Sequence, residues 1–282
     1  MTRRIASILV AVLVMITSGC ELGQDDEMAP RPTKTVTKSA KPDTARSTPA
    51  PKTLPVGQGT ITPRAVVWAQ ESTLHYGTKQ VDVSPLRIDS LVVVTGGVFF
   101  LSRRELWFTD LSRVRGTGFA GVTRVSTTAD ADALRVDLGT GSGGVYAYDL
   151  STGKSISADE VVPATDEDLR GTAEQVALRP AGNGEPAAPV EARKGPGNFG
   201  IVGGDGERLA VFDARTSKRV PMTGVLGNGF QLVRWQGGIA FFGVALEDGN
   251  PLAIVSCNLS SRSCSSFGKP EPGISLVFES AA

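Results

Sequence analysis

The chain has 282 residues with 29 Lys+Arg, 29 Asp+Glu and a single His, so its formal net charge at pH 7 is zero. A balanced chain lacks the one-signed field that draws proteins onto nucleic acid, so no nucleic-acid partner is expected. A 40% hydrophobic share suffices for a globular core, 3 Cys exclude a disulfide mini-scaffold, and one His leaves no basis for a His-based zinc site or a Ser-His-Asp or Cys-His centre.

Arg3 and Arg4 precede an apolar run, Ile5 to Ile16, of 12 residues. A bilayer span needs about 20, so the run reads as a cleavable signal over residues 1–19. Thr17-Ser18-Gly19-Cys20 then leads small residues into a cysteine. This resembles the lipobox of bacterial lipoproteins, with Thr17 where Leu is usual. The resemblance implies that Cys20 is acylated on sulfur (palmitate and diacylglyceryl-type chains) and becomes the first mature residue. Two or three acyl chains hold a protein to a membrane at about 0.8 kcal/mol per buried methylene. The expected location is the outer, extracytoplasmic face of the cell membrane, with the membrane itself as a partner through the lipid.

Residues 29–55 carry six Pro, six Thr and six Lys/Arg against one Asp, Asp43. Such a composition cannot bury enough apolar area to offset its ordering entropy, so 20–57 is predicted to be an acylated cysteine followed by a disordered tether.

From residue 58 to 282 the chain is all-β in character: Val, Ile, Phe and Thr runs alternate with Gly, Asp, Asn and Ser clusters. Four segments align without gaps, Thr109–Gly116, Tyr148–Ser155, Phe212–Arg219 and Cys257–Cys264. Each opens a turn on Asp110, Asp149, Asp213 or Asn258, whose side chain can bond its own backbone two residues on. Ahead of each lie an apolar strand, a turn and another strand, as in Val98 to Leu101, Leu134 to Leu138, Phe199 to Val202 and Ile239 to Leu246. Asp110 and Asp149 are 39 residues apart and Asp213 and Asn258 are 45 apart, about the length of a propeller blade. The middle interval of 64 is longer, and its excess falls in Pro180 to Gly197. That stretch is too rich in Pro and Gly for a central strand and is predicted to be an inserted loop.

Short strands over Ala65 to Ala69, Thr73 to Tyr76 and Gln80 to Val83 make a first unit. Ile274 to Phe278 is a lone strand at the other end, and pairing it with the first unit would close a ring and remove open edges. The expectation is a small β-propeller of about five four-stranded blades closed by N- and C-terminal strands; a β-sandwich of short strands is the alternative. The pattern resembles propellers of the YVTN and tryptophan-aspartate repeat kind, specifically the lipid-anchored ones exported by actinobacteria. Tyr148-Asp149-Leu150-Ser151-Thr152-Gly153-Lys154 carries the likeness best, although no copy has the Gly-His and Trp-Asp pair.

Cys257 and Cys264 flank the fourth turn at positions that face each other on a hairpin, and in an exported domain they are expected to form a disulfide. His75 has no partner in sequence and reads as a structural residue, while Trp68, Trp107 and Trp235 read as packing residues within strands. Asp130/Asp132, Asp159/Glu160 and Asp166-Glu167-Asp168 are expected in solvated loops, without the ligand spacing of a calcium site. Gly203-Gly204-Asp205-Gly206 lacks the Lys-Ser/Thr of a phosphate cradle and reads as a turn. No catalytic residue, metal or cofactor is assigned. The function expected is a membrane-anchored extracytoplasmic lipoprotein whose propeller binds a protein or a cell-envelope ligand. An exported hydrolase or lyase with carboxylates at the propeller channel, and an accessory or sensory subunit of a membrane complex, are the alternatives.

Overall fold

The computed structural model describes residues 50–57, 59–62, 65–139, 144–177, 189–195, 199–202, 210–213, 218–224, 228–236, 238–245, 252–271 and 275–279. Cys20, the signal and the tether up to residue 49 lie outside the described residues, as does the turn at Gly203–Gly206. Five sheets follow one another along the chain. The first contains β1 (Val67–Gln70), β2 (Thr73–Tyr76) and β3 (Lys79–Asp82). The second is β4 (Ser90–Val94), β5 (Gly97–Ser102), β6 (Glu105–Thr109) and β7 (Val114–Ala120). The third is β8 (Val122–Thr127), β9 (Ala133–Leu138), β10 (Val145–Asp149) and β11 (Ser155–Ile156). A 3-10 turn (Ala158–Glu160) and a short helix α1 (Asp166–Arg170) lead to the fourth: β12 (Thr172–Ala177), β13 (Pro189–Lys194), β14 (Phe199–Val202), β15 (Ala210–Asp213) and β16 (Lys218–Val220). The fifth is β17 (Thr223–Gly224), β18 (Asn228–Gln236), β19 (Ile239–Ala245), β20 (Leu252–Asn258) and β21 (Ser263–Gly268). The last strand, β22 (Leu276–Phe278), returns to the first sheet, whose order is β22-β1-β2-β3.

The strands are continuous apolar runs where both sheet faces are covered. In β5 all six residues are buried, and alternate side chains face opposite neighbours. Val98 and Phe100 pack with Val67 and Leu74 of the first sheet, while Phe99 and Leu101 pack with Leu134 and Val136 of the third. In β4, Leu91 and Val93 go one way and Val92 and Val94 the other. Outer strands differ: β7 alternates exposed and buried positions from Gly116 onward, as a strand with one wet face should. A two-layer sandwich leaves one face of each sheet to solvent, whereas here the second sheet is covered on both. The fold is an all-β propeller of five blades.

Closure is carried by the ends of the chain. β22 pairs antiparallel with β1, Trp68 opposite Phe278 and Gln70 opposite Leu276. Between the fifth blade and the first, Val66 packs with Val233 and Phe241, and Phe267 and Phe278 lie against them. One residue past β22, Glu279 bridges in parallel to Leu91 of the second blade. Its carboxylate accepts the Val93 amide at 3.2 Å and pairs with the Arg234 guanidinium of β18. Arg234 also donates to the Ala65 carbonyl at 3.3 Å, just ahead of β1. Both side chains are buried, Arg234 at 4% and Glu279 at 8% exposure, so one ion pair joins blades five, one and two where water is scarce.

Four expectations need correction. The fourth and fifth sheets have five strands rather than four. Pro180 to Gly197 is not all loop: Pro189–Lys194 is β13, paired on both sides. Proline is tolerated there because it opens the strand, where a missing N–H is least costly. Asp166-Glu167-Asp168 is helical: Thr165 and Asp168 form a reciprocal capping box, and Asp166 pairs with Arg170 and Arg193. Finally, Ala50 to Gly57, assigned by composition to the tether, is packed on the propeller. Leu54 is buried, its N–H donates to the Gly153 carbonyl at 2.8 Å, and Thr53 bridges Lys154.

Replacing Glu279 with Ala leaves Arg234 buried without its partner and should cost about 3–5 kcal/mol in urea unfolding. The double variant Arg234→Met/Glu279→Leu should recover most of that loss; a single variant no less stable than the parent would show that the pair does not hold the closure.

Candidate functional site

On the meandering blades, the turns from first to second strand and from third to fourth strand emerge on one face of the ring. Asp110, Asp149 and Asn258 lie on that face. Asp110 accepts the N–H groups of Ser112 (3.0 Å) and Arg113 (2.9 Å), Asp149 those of Ser151 (2.9 Å) and Thr152 (2.8 Å), and Asn258 those of Ser260 (2.9 Å) and Ser261 (3.1 Å). Asp213 ends β15 opposite Lys218, and its side chain lies outside the described residues. These side chains satisfy local backbone donors and hold the turns. Asp149 borders a cavity. The same device recurs at Asp82, which accepts the Ser84 N–H at 2.8 Å at the end of β3. Its Asp-x-Ser signature could have been read from the sequence.

That cavity, about 810 Å³, lies between blades two and three on the turn face. Its apolar lining includes Ala131, Ala133, Leu150 and Val161, and Thr95 of the second blade and Val56 and Gly57 of the strap (residues 50–57) also border it. Asp130, Asp132, Asp149 and Glu160 also line it, with Thr128, Ser151 and Ile156. The turns are rigidly built. Thr128 donates its hydroxyl to the Asp132 carboxylate, Ala131 takes a positive φ of 55°, and the Leu150 N–H donates to the Asp132 carbonyl at 2.8 Å. The last bond ties the two turns of blade three together.

Two glycines let the strap lie this close. Gly153 has φ +69°, and a Cβ there would meet the Leu54 carbonyl oxygen at 2.5 Å; at Gly96, φ +79°, a Cβ would meet the Gly57 oxygen at 2.3 Å. Gly96 also takes the Gly59 N–H and gives its own N–H to the Ile61 carbonyl. Tyr148, fully buried, donates its hydroxyl to the Pro51 carbonyl at 2.7 Å, and burial pushes its phenol up to about 12. So the motif that carries the family likeness, Tyr148 to Lys154, is also what fastens the strap.

The Asp149 carboxyl is held below the ordinary carboxylate range, first by the Ser151 hydroxyl and then by the Thr152 backbone and hydroxyl; Asp110 is lowered likewise, first by Ser112. His75, half-buried, stacks on Trp68 with ring centroids 3.6 Å apart, and burial lowers its pKa. Trp107 and Trp235 sit in β6 and β18 with their indole N–H groups buried and unpartnered, as packing residues do at some cost. Cys257 and Cys264 are disulfide-bonded across β20 and β21, Cα atoms 4.0 Å apart. Among the described residues no group of three or more His, Cys, Asp or Glu is placed to hold a metal ion, and no helix is long and apolar enough to cross a membrane. The sequence did not point to Arg234 and Glu279, 45 residues apart, or to Thr95, Val56 and Gly57, which meet the blade-three turns only in three dimensions.

No family model and no curated protein matches the chain in sequence. Solved structures to which it is similar include the Pan2 WD40 domain of Neurospora crassa, 13% identical over 82% of this chain and 82% of that one, with a TM-score of 0.32. A dihydro-heme d1 dehydrogenase, NirN, is 15% identical over 79% of this chain and 58% of that one (TM-score 0.27), and the N-terminal domain of Nup159 is 10% identical over 79% and 65% (TM-score 0.26). The chain spans less than two thirds of the length of the latter two. Overlaps this slight carry no argument, and the propeller stands on its five sheets and their closure.

Two outcomes follow. In a carbon-detected NMR titration the Asp149 carboxyl should titrate below the ordinary range, and Ser151→Ala should move it upward. Because the folded-state value is depressed, its contribution to stability is present above the unfolded-state pKa and is lost as pH falls through the folded one; an unshifted titration would contradict the turn geometry. Cys257→Ser/Cys264→Ser should cost about 2–3 kcal/mol, since the bridge closes a short loop.

Proposed function

We propose that this protein is a lipoprotein held by Cys20 on the outer face of the cell membrane, where its propeller serves as a binding module for a protein or cell-envelope ligand. The observation that carries the binding role is the cavity between blades two and three: a large, half-apolar recess bordered by carboxylates on turns that are already rigid. Rigid turns let a partner bind without ordering cost. The anchoring rests on the lipobox-like Thr17-Ser18-Gly19-Cys20 and on the Pro- and Lys-rich segment that follows. Carboxylate chemistry at the ring centre is less well supported, since Glu279 is engaged by Arg234 and Val93.

The full chain should incorporate a palmitate analogue and sediment with membranes, and Cys20→Ser should abolish both. Affinity capture from solubilised membranes should then recover a stoichiometric partner. Unchanged membrane association of Cys20→Ser would overturn the anchor, and turnover of a wall glycan or peptide by the purified protein would overturn the binding role.

A further inference from the structure

Large hydrophobic side chains are exposed at only four places among the described residues: Val56 (37%), Val145 (43%), Ile156 (36%) and Val162 (73%). Val56 and Ile156 line the recess between blades two and three, and Val162 adjoins its lining residue Val161. Exposed apolar side chains gathered around one recess are what a macromolecular partner covers; scattered ones would need no explanation. The outermost strand here, β11, has two residues, against seven in β7 and six in β21. The chain just before it already pairs with an extended segment in cis: Thr53 of the strap bridges Lys154. Carboxylates at Asp130, Asp132, Asp149 and Glu160 set the sign of the charge that fits.

We infer that this recess docks an extended polypeptide segment of a partner protein, carrying Lys or Arg beside apolar residues. This rests on the reading of the protein as a binding module. The apolar lining takes the methylene stem of the basic side chain, the carboxylates take its cationic head, and Val56 and Ile156 receive the flanking apolar side chains. A divalent cation fits less well, because among the described residues no group of three or more His, Cys, Asp or Glu is placed to hold one. A glycan is disfavoured by the exposed aliphatic side chains, which offer no aromatic face for a sugar ring.

The test is fluorescence anisotropy with the full chain in detergent and a labelled acetyl-Val-Lys-Val-Lys-Val-amide probe. Its counterpart with Glu in place of Lys and lysine amide alone serve as competitors. The Lys peptide should bind, with affinity falling as salt rises, and neither competitor should displace it. Asp130→Asn/Glu160→Gln and, separately, Ile156→Asn should each weaken binding tenfold or more, while Asp159→Asn, just outside the recess, leaves it unchanged. All three sites are exposed, so the variants should melt with the parent. No binding of the Lys peptide, equal binding by the charge-depleted variant, or displacement by lysine amide would overturn the inference. Capture of a membrane partner that persists in both recess variants would refute docking here and leave the binding-module function standing.

Discussion

One buried carboxylate carries an unusual share of this architecture. A ring of sheets is stable only when its first and last blades meet, and here they meet through a three-residue strand, β22, which has little pairing of its own to fix its register. Glu279 supplies the rest. It follows that strand directly, bridges to Leu91 and accepts from Val93 in the next blade, and pairs with Arg234 in the previous one. Burying two charges is costly, and their attraction offsets that cost only where geometry and extra hydrogen bonds are good. Arg234 meets this condition through the Ala65 carbonyl and Glu279 through the Val93 amide. The pair therefore acts less as a source of stability than as a register mark. An apolar pair could fill the space, but it would not say which blade lies next to which.

The same economy operates on the turn face. In blades two, three and five the turn that joins third and fourth strands is held by Asp110, Asp149 or Asn258 folded onto its own backbone. The N-terminal strap is fastened onto the Asp149 turn and onto the β4–β5 turn of blade two by Gly153, Tyr148 and Gly96. The bonds that fix the strap also shape the recess in which Val56, Ile156 and the carboxylates converge.

Much of this was legible from sequence because it is local. The turn residues Asp110, Asp149 and Asn258 announce themselves by composition, and the apolar runs before them fall on β6, β10 and β20. The strand near the C-terminus and its return to the first sheet followed from edge physics. Harder features failed for physical reasons. Pro189 looks like a strand breaker until its place at the first position of β13 is known. Leu54 looks like part of a tether, because a single apolar residue among prolines gives no period, yet it is buried beneath the Gly153 turn. Capping by Thr165 turns an acidic cluster into a helix. Arg234 and Glu279 could not be paired in advance, since nothing in either neighbourhood names the other, and the recess exists only because a strap, a second-blade turn and two third-blade turns arrive at one place.

The central claim is that the tail of the chain completes the ring by gripping the second blade. Residue-resolved hydrogen exchange at Val93 tests it most directly, because that amide is bonded to the Glu279 carboxylate rather than to a strand of its own sheet. Closure as described predicts that the Val93 amide exchanges as slowly as the core amides of β5. Exchange at Val93 as fast as in an exposed turn, with β5 still protected, would contradict it.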